Sequence, residues 1–174
     1  TRYGTVTGVQ TCALPISDEV ITALDDRVAR LTALLEDAEE GDDPHYAAVI
    51  REEIERADIT RARYFKAMRH ALSDGHVRAV AELQRVVARH PASKNARRHQ
   101  LALANLYGEL AKEYVEAHPP EGLRFDPPRF QELVDAASRL YQVVARQDGT
   151  SEKLEAARRL EAFLAFTLQV DRDR

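Results

Sequence analysis

Two stretches of this chain match each other at one fixed offset. In the first, Ala79, Leu83, Val86, Val87, Ala88 and Arg89 lead to a break at Pro91, after which come Leu103 and Leu106. In the second, Ala136, Leu140, Val143, Val144, Ala145 and Arg146 lead to a break at Asp148-Gly149, after which come Leu160 and Phe163. Every match lies 57 residues on (83 to 140, 86 to 143, 103 to 160), so a single helix-break-helix unit is written twice. A repeated unit of this size cannot bury its apolar face alone and must stack on its neighbour. The pattern therefore predicts an architecture before any activity.

Composition agrees with helices. Ala, Leu, Glu and Arg dominate, all strong helix formers, while the only lysines are Lys66, Lys94, Lys112 and Lys153. The expected fold class is all-α, built of antiparallel helical hairpins. With 174 residues and 44% hydrophobic side chains the chain is about one domain long and can bury a core. A net charge of −4, mixed in sign along the sequence, gives no electrostatic footprint for nucleic acid or an anionic membrane surface.

Residues 1–16 depart from this composition. They carry one charge, Arg2, and are rich in Thr, Gly and β-branched residues. Val6-Thr7-Gly8-Val9-Gln10-Thr11-Cys12-Ala13-Leu14-Pro15-Ile16 resembles the conceptual translation of a short-read sequencing adapter, so residues 1–16 are expected to be a non-native or disordered leader. The stretch does not read as a signal peptide, because Thr7, Gly8, Gln10 and Thr11 interrupt the apolar run of about 7–15 residues that export requires. The sole cysteine, Cys12, falls within it, leaving no thiol chemistry in the remainder. Without Arg2 the balance is 24 cationic against 29 anionic residues, a net of −5 from Ser17 onward.

From Ser17 to residue 73 the spacing predicts a helical hairpin. Ser17 and Asp18 are N-cap residues, and Leu24, Val28, Leu31, Leu35 and Ala38 recur every three or four positions along one helix face. Gly41 closes that helix; Asp43 caps the next, with Pro44 at its first position, where a missing N–H is tolerated. The second helix is expected to run to about Leu72 on Tyr46, Ile50, Ile54 or Ala57, Tyr64, Phe65, Met68 and Leu72. Its charges, Glu52, Glu53, Glu55, Arg61, Arg63 and Arg69, read as a solvated face.

Residues 74–174 read as two helix-turn-helix units separated by a Pro-rich loop at 118–128, where consecutive prolines forbid helix. The expected core positions are Val77, Val80, Leu83, Val86 and Val87, then Ala96, Leu103, Leu106, Tyr107, Leu110 and Tyr114. After the loop come Phe130, Leu133, Ala137, Leu140, Val143 and Val144, and finally Leu154, Ala157, Leu160, Leu164 and Leu168. Nowhere is there the run of about 20 apolar residues that spans a bilayer.

The alternation of small and large residues in Ala79-x-x-x-Leu83-x-x-Val86-x-x-x-x-Pro91 resembles the second helix of a tetratricopeptide repeat with its terminating proline. Leu103-Ala104-x-x-Tyr107 is similar to the first helix of the next repeat. His90-Pro91-Ala92-Ser93-x-x-Ala96 resembles repeats of bacterial envelope proteins of the Tol-Pal coordinator type. The likeness is good over Ala79 to Tyr107 and weaker over Ala136 to Leu164, where Asp148-Gly149 replaces proline and Glu161 sits at the small position. The 57-residue spacing also exceeds the family's period of about 34. The resemblance implies a tetratricopeptide-like α-solenoid fragment that binds a protein or peptide on the surface of its first helices. It nominates Arg98 and Asn105, with Arg158 and Arg159 in the second copy, to hold a peptide backbone and carboxylate. A cell-envelope or periplasmic location is implied by the same likeness, with the cytoplasm still open.

No catalytic constellation competes with this expectation. His45, His70, His76, His90, His99 and His118 show neither an i, i+4 pair around a Glu nor a Glu-x-x-His, and they read as exposed or helix-capping residues. The acidic run Asp37 to Asp43 lacks the alternate spacing and terminal Glu of a calcium loop. The function expected is a non-enzymatic scaffold for protein–protein interaction, without cofactor or metal. The alternative is a structural bundle or coiled-coil element of a longer protein.

Overall fold

The computed structural model describes the backbone over residues 14–41 and 43–174, and side chains over 19–41 and 43–174. The described residues form six helices and no strand: α1 (Leu14–Glu40), α2 (Pro44–Met68), α3 (Gly75–Arg89), α4 (Ala96–Ala117), α5 (Pro127–Ala145) and α6 (Ser151–Arg172). Two compact units divide the chain, Thr1–Arg61 and Ala62–Arg174. The expected leader at 1–16 lies outside the described residues as far as residue 13. α1 starts at Leu14, three positions ahead of the anticipated cap at Ser17.

In the first unit the helical stripe of α1 is the one expected. Ile21, Leu24, Val28, Leu31, Leu35 and Ala38 are its half-buried apolar residues, three or four apart throughout. Arg27 reaches Glu53 at 2.6 Å, Arg51 pairs with Glu39, and Arg61 pairs with Asp25. Partners low on α1 are high on α2, which makes the hairpin antiparallel. Asp43 caps α2 by accepting from the Tyr46 N–H at 3.0 Å, with Pro44 at the first position. The face of α2 that is buried runs Ala47, Ile50, Ile54, Ala57, while Tyr46 is 63% exposed, so the stripe sits one residue later than expected at its start. Glu55 is buried rather than solvated; the acidic run is not a uniform water-facing surface.

The second unit is built on α4, which packs against α3, α5 and α6. A helix with neighbours on several sides must be apolar around much of its circumference, and α4 buries Leu101, Leu103, Ala104, Leu106, Gly108 and Ala111. His99 is also buried, contrary to the exposed or capping role expected of it. The main core joins α4, α5 and α6 through Leu101, Ala104, Phe130, Tyr141, Val144, Phe163 and Val170. Ala104, Ala111, Ala137 and Ala156 have no exposed surface, and such small residues let helix axes approach while aromatic rings fill the spaces between. Phe130, Phe166, Phe163 and Tyr141 form a chain of ring contacts with centroids 6.0 to 6.2 Å apart. Offset and edge-on packing of this kind suits the ring quadrupole.

The Pro-rich loop is held by aromatic contacts. Tyr114 stacks on His118 at 4.8 Å, and its hydroxyl accepts from the Asp126 N–H at 2.7 Å. Asp126 then caps α5, accepting from the Arg129 N–H at 3.4 Å ahead of Pro127 and Pro128.

Burial does not keep one register across the two copies. In the first helices Ala79, Leu83 and Val86 correspond in burial to Ala137, Tyr141 and Val144, a shift of 58. In the second helices only His99 and Leu106 have buried counterparts 57 positions on, Ala156 and Phe163, because α4 is buried around more of its circumference than α6. The connections also differ in length: positions 90–95 separate α3 from α4, whereas only 146–150 separate α5 from α6. Val143, expected in the core as the match of Val86, is 45% exposed, and Val77 is 70% exposed. On α6 most of the expected stripe faces outward, with Leu154, Leu164 and Leu168 exposed and Leu160 half-buried against the core, while Ala156, Phe163, Thr167 and Val170 are buried.

Candidate functional site

α4 and α6 share an edge and run parallel along it. Arg98 lies 3.7 Å from Glu152, and seven residues further along each helix Asn105 and Arg159 line one cleft. Another seven residues on, the Lys112 ammonium sits 5.9 Å from the Phe166 ring centroid. Seven residues are close to two helical turns, so the three rungs repeat along one face.

The cleft encloses about 250 Å³ and is lined by Asn105, Gly108, Glu109 and Lys112 from α4, Tyr141 from α5, and Arg159, Ala162 and Phe163 from α6. Gly108 forms part of its floor. A Cβ there would stand 3.3 Å from the Tyr141 hydroxyl and 3.7 Å from the Phe163 ring, so the glycine lets both rings close on α4. The Tyr141 hydroxyl donates to Asn105 Oδ1 at 2.9 Å. That bond fixes the carboxamide and leaves its Nδ2 donors for another acceptor. Burial raises the Tyr141 pKa above the ordinary value, with the Glu109 and Glu155 charges adding to it and Arg159 opposing. Tyr141 is a neutral hydrogen-bond donor there.

Charge in the cleft is unevenly committed. Glu109 is held by Lys66 at 2.7 Å and by Arg69 at 3.5 Å, and Arg159 pairs with Glu155 on its own helix at 2.6 Å. Lys112 rests against a ring, where it keeps its charge available. An anion entering the cleft meets Lys112 and Arg159, while the carboxylate of Glu109 is already neutralised. The volume is below the roughly 300–1,000 Å³ of pockets that enclose a drug-sized ligand, and suits one side chain or a chain terminus.

Of the four residues nominated from sequence, Asn105 and Arg159 come together in this cleft. Arg98 stands at the start of the same edge, beside Glu152, whose carboxyl is held below its usual range by its own backbone N–H, with Ser151 and Arg98 contributing. Arg158 is exposed and does not line the cleft. Sequence spacing missed Tyr141, Lys112 and Glu109. Tyr141 sits one position after Leu140, the residue that the 57-residue match places in the core, so only the register slip reveals it.

A second convergence was also missed. His70, His76 and Glu113 bring their ligand atoms within 4.8 Å of one another, although six and 37 positions separate them and no helical motif links them. Burial raises the Glu113 pKa, but the hydrogen bond and charge of Arg69, the hydrogen bond of His76 and the charge of His70 outweigh it, so the group stays below its ordinary range. No family model, curated protein or solved structure matches the chain.

Proposed function

We propose that the chain is a non-enzymatic, tetratricopeptide-like helical scaffold whose α4–α6 edge receives an extended peptide with an anionic group. The observation that carries this reading is the meeting of Asn105 and Arg159 in one cleft between two parallel helices. α4 and α6 follow the breaks in the two copies, the positions that the resemblance assigns to the peptide-facing first helices of successive repeats. Asn105 Nδ2 would donate to a main-chain carbonyl, and Arg159 and Lys112 would pair with a carboxylate, with Arg98 extending the track by two turns.

Binding is tested with a peptide library presenting free C-terminal carboxylates and acidic side chains. Selected peptides are expected to lose about tenfold or more in affinity when Asn105 and Arg159 are both replaced by Ala. Peptides that bind the double variant as well as the original protein would remove the proposal.

The exposed leucines of α6 favour a second reading, a structural element that completes its apolar surface by packing against other helices. Leu154, Leu164 and Leu168 are 60%, 43% and 69% exposed, and exposed large apolar side chains gathered on one helix can serve as an association surface. Light scattering decides: concentration-dependent self-association abolished by Leu164→Gln with Leu168→Gln supports it, and a monomer at all concentrations opposes it.

A further inference from the structure

The turn between α2 and α3 is drawn tight by one glycine. Gly75 is buried, its N–H bonds the Leu72 carbonyl at 3.1 Å, and a Cβ on it would lie 2.2 Å from the Arg69 carbonyl oxygen. Only a residue without a side chain allows this approach. As a result His70, just past the end of α2, and His76, in the first turn of α3, are brought edge to face, with ring centroids 5.1 Å apart. Glu113 of α4 meets both. His76 Nε2 is 3.1 Å from Glu113 Oε2, and His70 Nε2 is 3.6 Å from Oε1.

We propose that His70, His76 and Glu113 form a binding site for a borderline divalent transition-metal ion, with two imidazole nitrogens, one carboxylate oxygen and a fourth position open to water. Zinc takes such ligands at about 2.0–2.2 Å in a tetrahedron, which puts neighbouring ligand atoms about 3.3 Å apart. The 3.1 Å between His76 Nε2 and Glu113 Oε2 is already close to that value. The ligand atoms all lie within 4.8 Å of one another, and rotation of the His70 and His76 imidazoles, 60% and 47% exposed, would bring the remaining separations to that value. Imidazole with carboxylate selects zinc or its neighbours over calcium and magnesium, which take oxygen ligands.

Arg69 does not defeat the site. Its guanidinium holds Glu113 Oε1 at 2.7 Å, leaving Oε2 for the ion, and an outer hydrogen bond of this kind orients a ligating carboxylate. Its charge and that of Lys66 are matched by Glu109 and Glu113, so the ion enters surroundings near neutrality. Bound metal would tie the α2–α3 turn to α4.

The test uses the full chain without a histidine tag, titrated with zinc by calorimetry. One equivalent is expected to bind, and His70→Ala and His76→Ala are each expected to weaken it by about tenfold or more, while His45→Ala leaves it unchanged. Zinc should also raise the unfolding temperature of the original protein and of His45→Ala, but not of the two site variants. No heat of binding up to about millimolar zinc, an unchanged affinity in both site variants, or a loss in His45→Ala overturns the proposal.

Discussion

Gly75 and Gly149 hold the chain for different physical reasons, and substitution separates them. Gly149 has φ +79 and open space where a Cβ would go, so Ala there meets only the left-handed backbone penalty, about 1 kcal/mol. At Gly75 the added methyl overlaps a backbone carbonyl that cannot rotate away. Gly75→Ala is therefore expected to cost about 3 kcal/mol, and urea unfolding of the two variants should rank them in that order; equal midpoints would refute the close approach. Tyr141 supplies a prediction in pH. Its folded pKa lies above its ordinary value of 10.0, mainly through burial, so above that value the folded chain holds a proton that the unfolded chain has lost. Its contribution is complete below about pH 10 and declines as pH rises through the folded pKa. At neutral pH, Tyr141→Phe should be less stable by about 0.5–1.5 kcal/mol for the lost bond to Asn105. The gap between the two proteins should hold below about pH 10 and narrow above it, and a gap that stays constant in thermal unfolding would contradict the assignment.

At the scale of the element, α6 tests which side chains win when a helix carries two apolar stripes. Leu154, Leu164 and Leu168 form one and Ala156, Phe163, Thr167 and Val170 the other, and the second is buried. Phe163 meets Tyr141 and Phe166, while Gly108 leaves room for its ring; no such recess receives the leucines. Phe163→Ala is expected to cost about 3–5 kcal/mol. Leu164→Gln with Leu168→Gln should change stability by about 0.5 kcal/mol or less, measured by denaturant unfolding. The spacing within α6 put the leucines in the core, although the match between copies paired Phe163 with Leu106. The sequence pattern placed the helices, the cap at Asp43 and the stripe of α1 because those depend on neighbours within a turn or two. It misjudged the exposure of Val143, because a match between copies assumes that burial keeps one register, and it misjudged the face of α6 because spacing alone does not choose between two apolar stripes on one helix. The cleft was half legible. Asn105 and Arg159 lie on the helices that the resemblance assigns to peptide contact, whereas Tyr141 lies one position after the matched core residue Leu140.

At the scale of the whole molecule the two units rest on different forces. The helix α1 has no buried side chain between Glu19 and Gly41, and the ties from it to α2 include three ion pairs, one of them with Arg27 and Glu53 side chains 51% and 26% exposed. Exposed pairs contribute about 0–1 kcal/mol each and weaken as salt screens them. The α4–α5–α6 core instead buries aromatic rings and fully enclosed alanines, a term that salt does not screen and that amounts to about 1.5–3 kcal/mol for each large side chain. Local opening should follow this difference, since regions with few buried contacts exchange amide protons at lower free energy. Hydrogen exchange is expected to show α1 protected least and the Leu101–Ala111 stretch of α4 most. Raising salt from about 0.05 to 0.5 M should accelerate exchange in α1 while leaving that stretch of α4 unchanged. Equal protection of the two helices, or equal response to salt, would mean that the half-buried stripe of α1 holds its hairpin as firmly as the aromatic core holds the other unit.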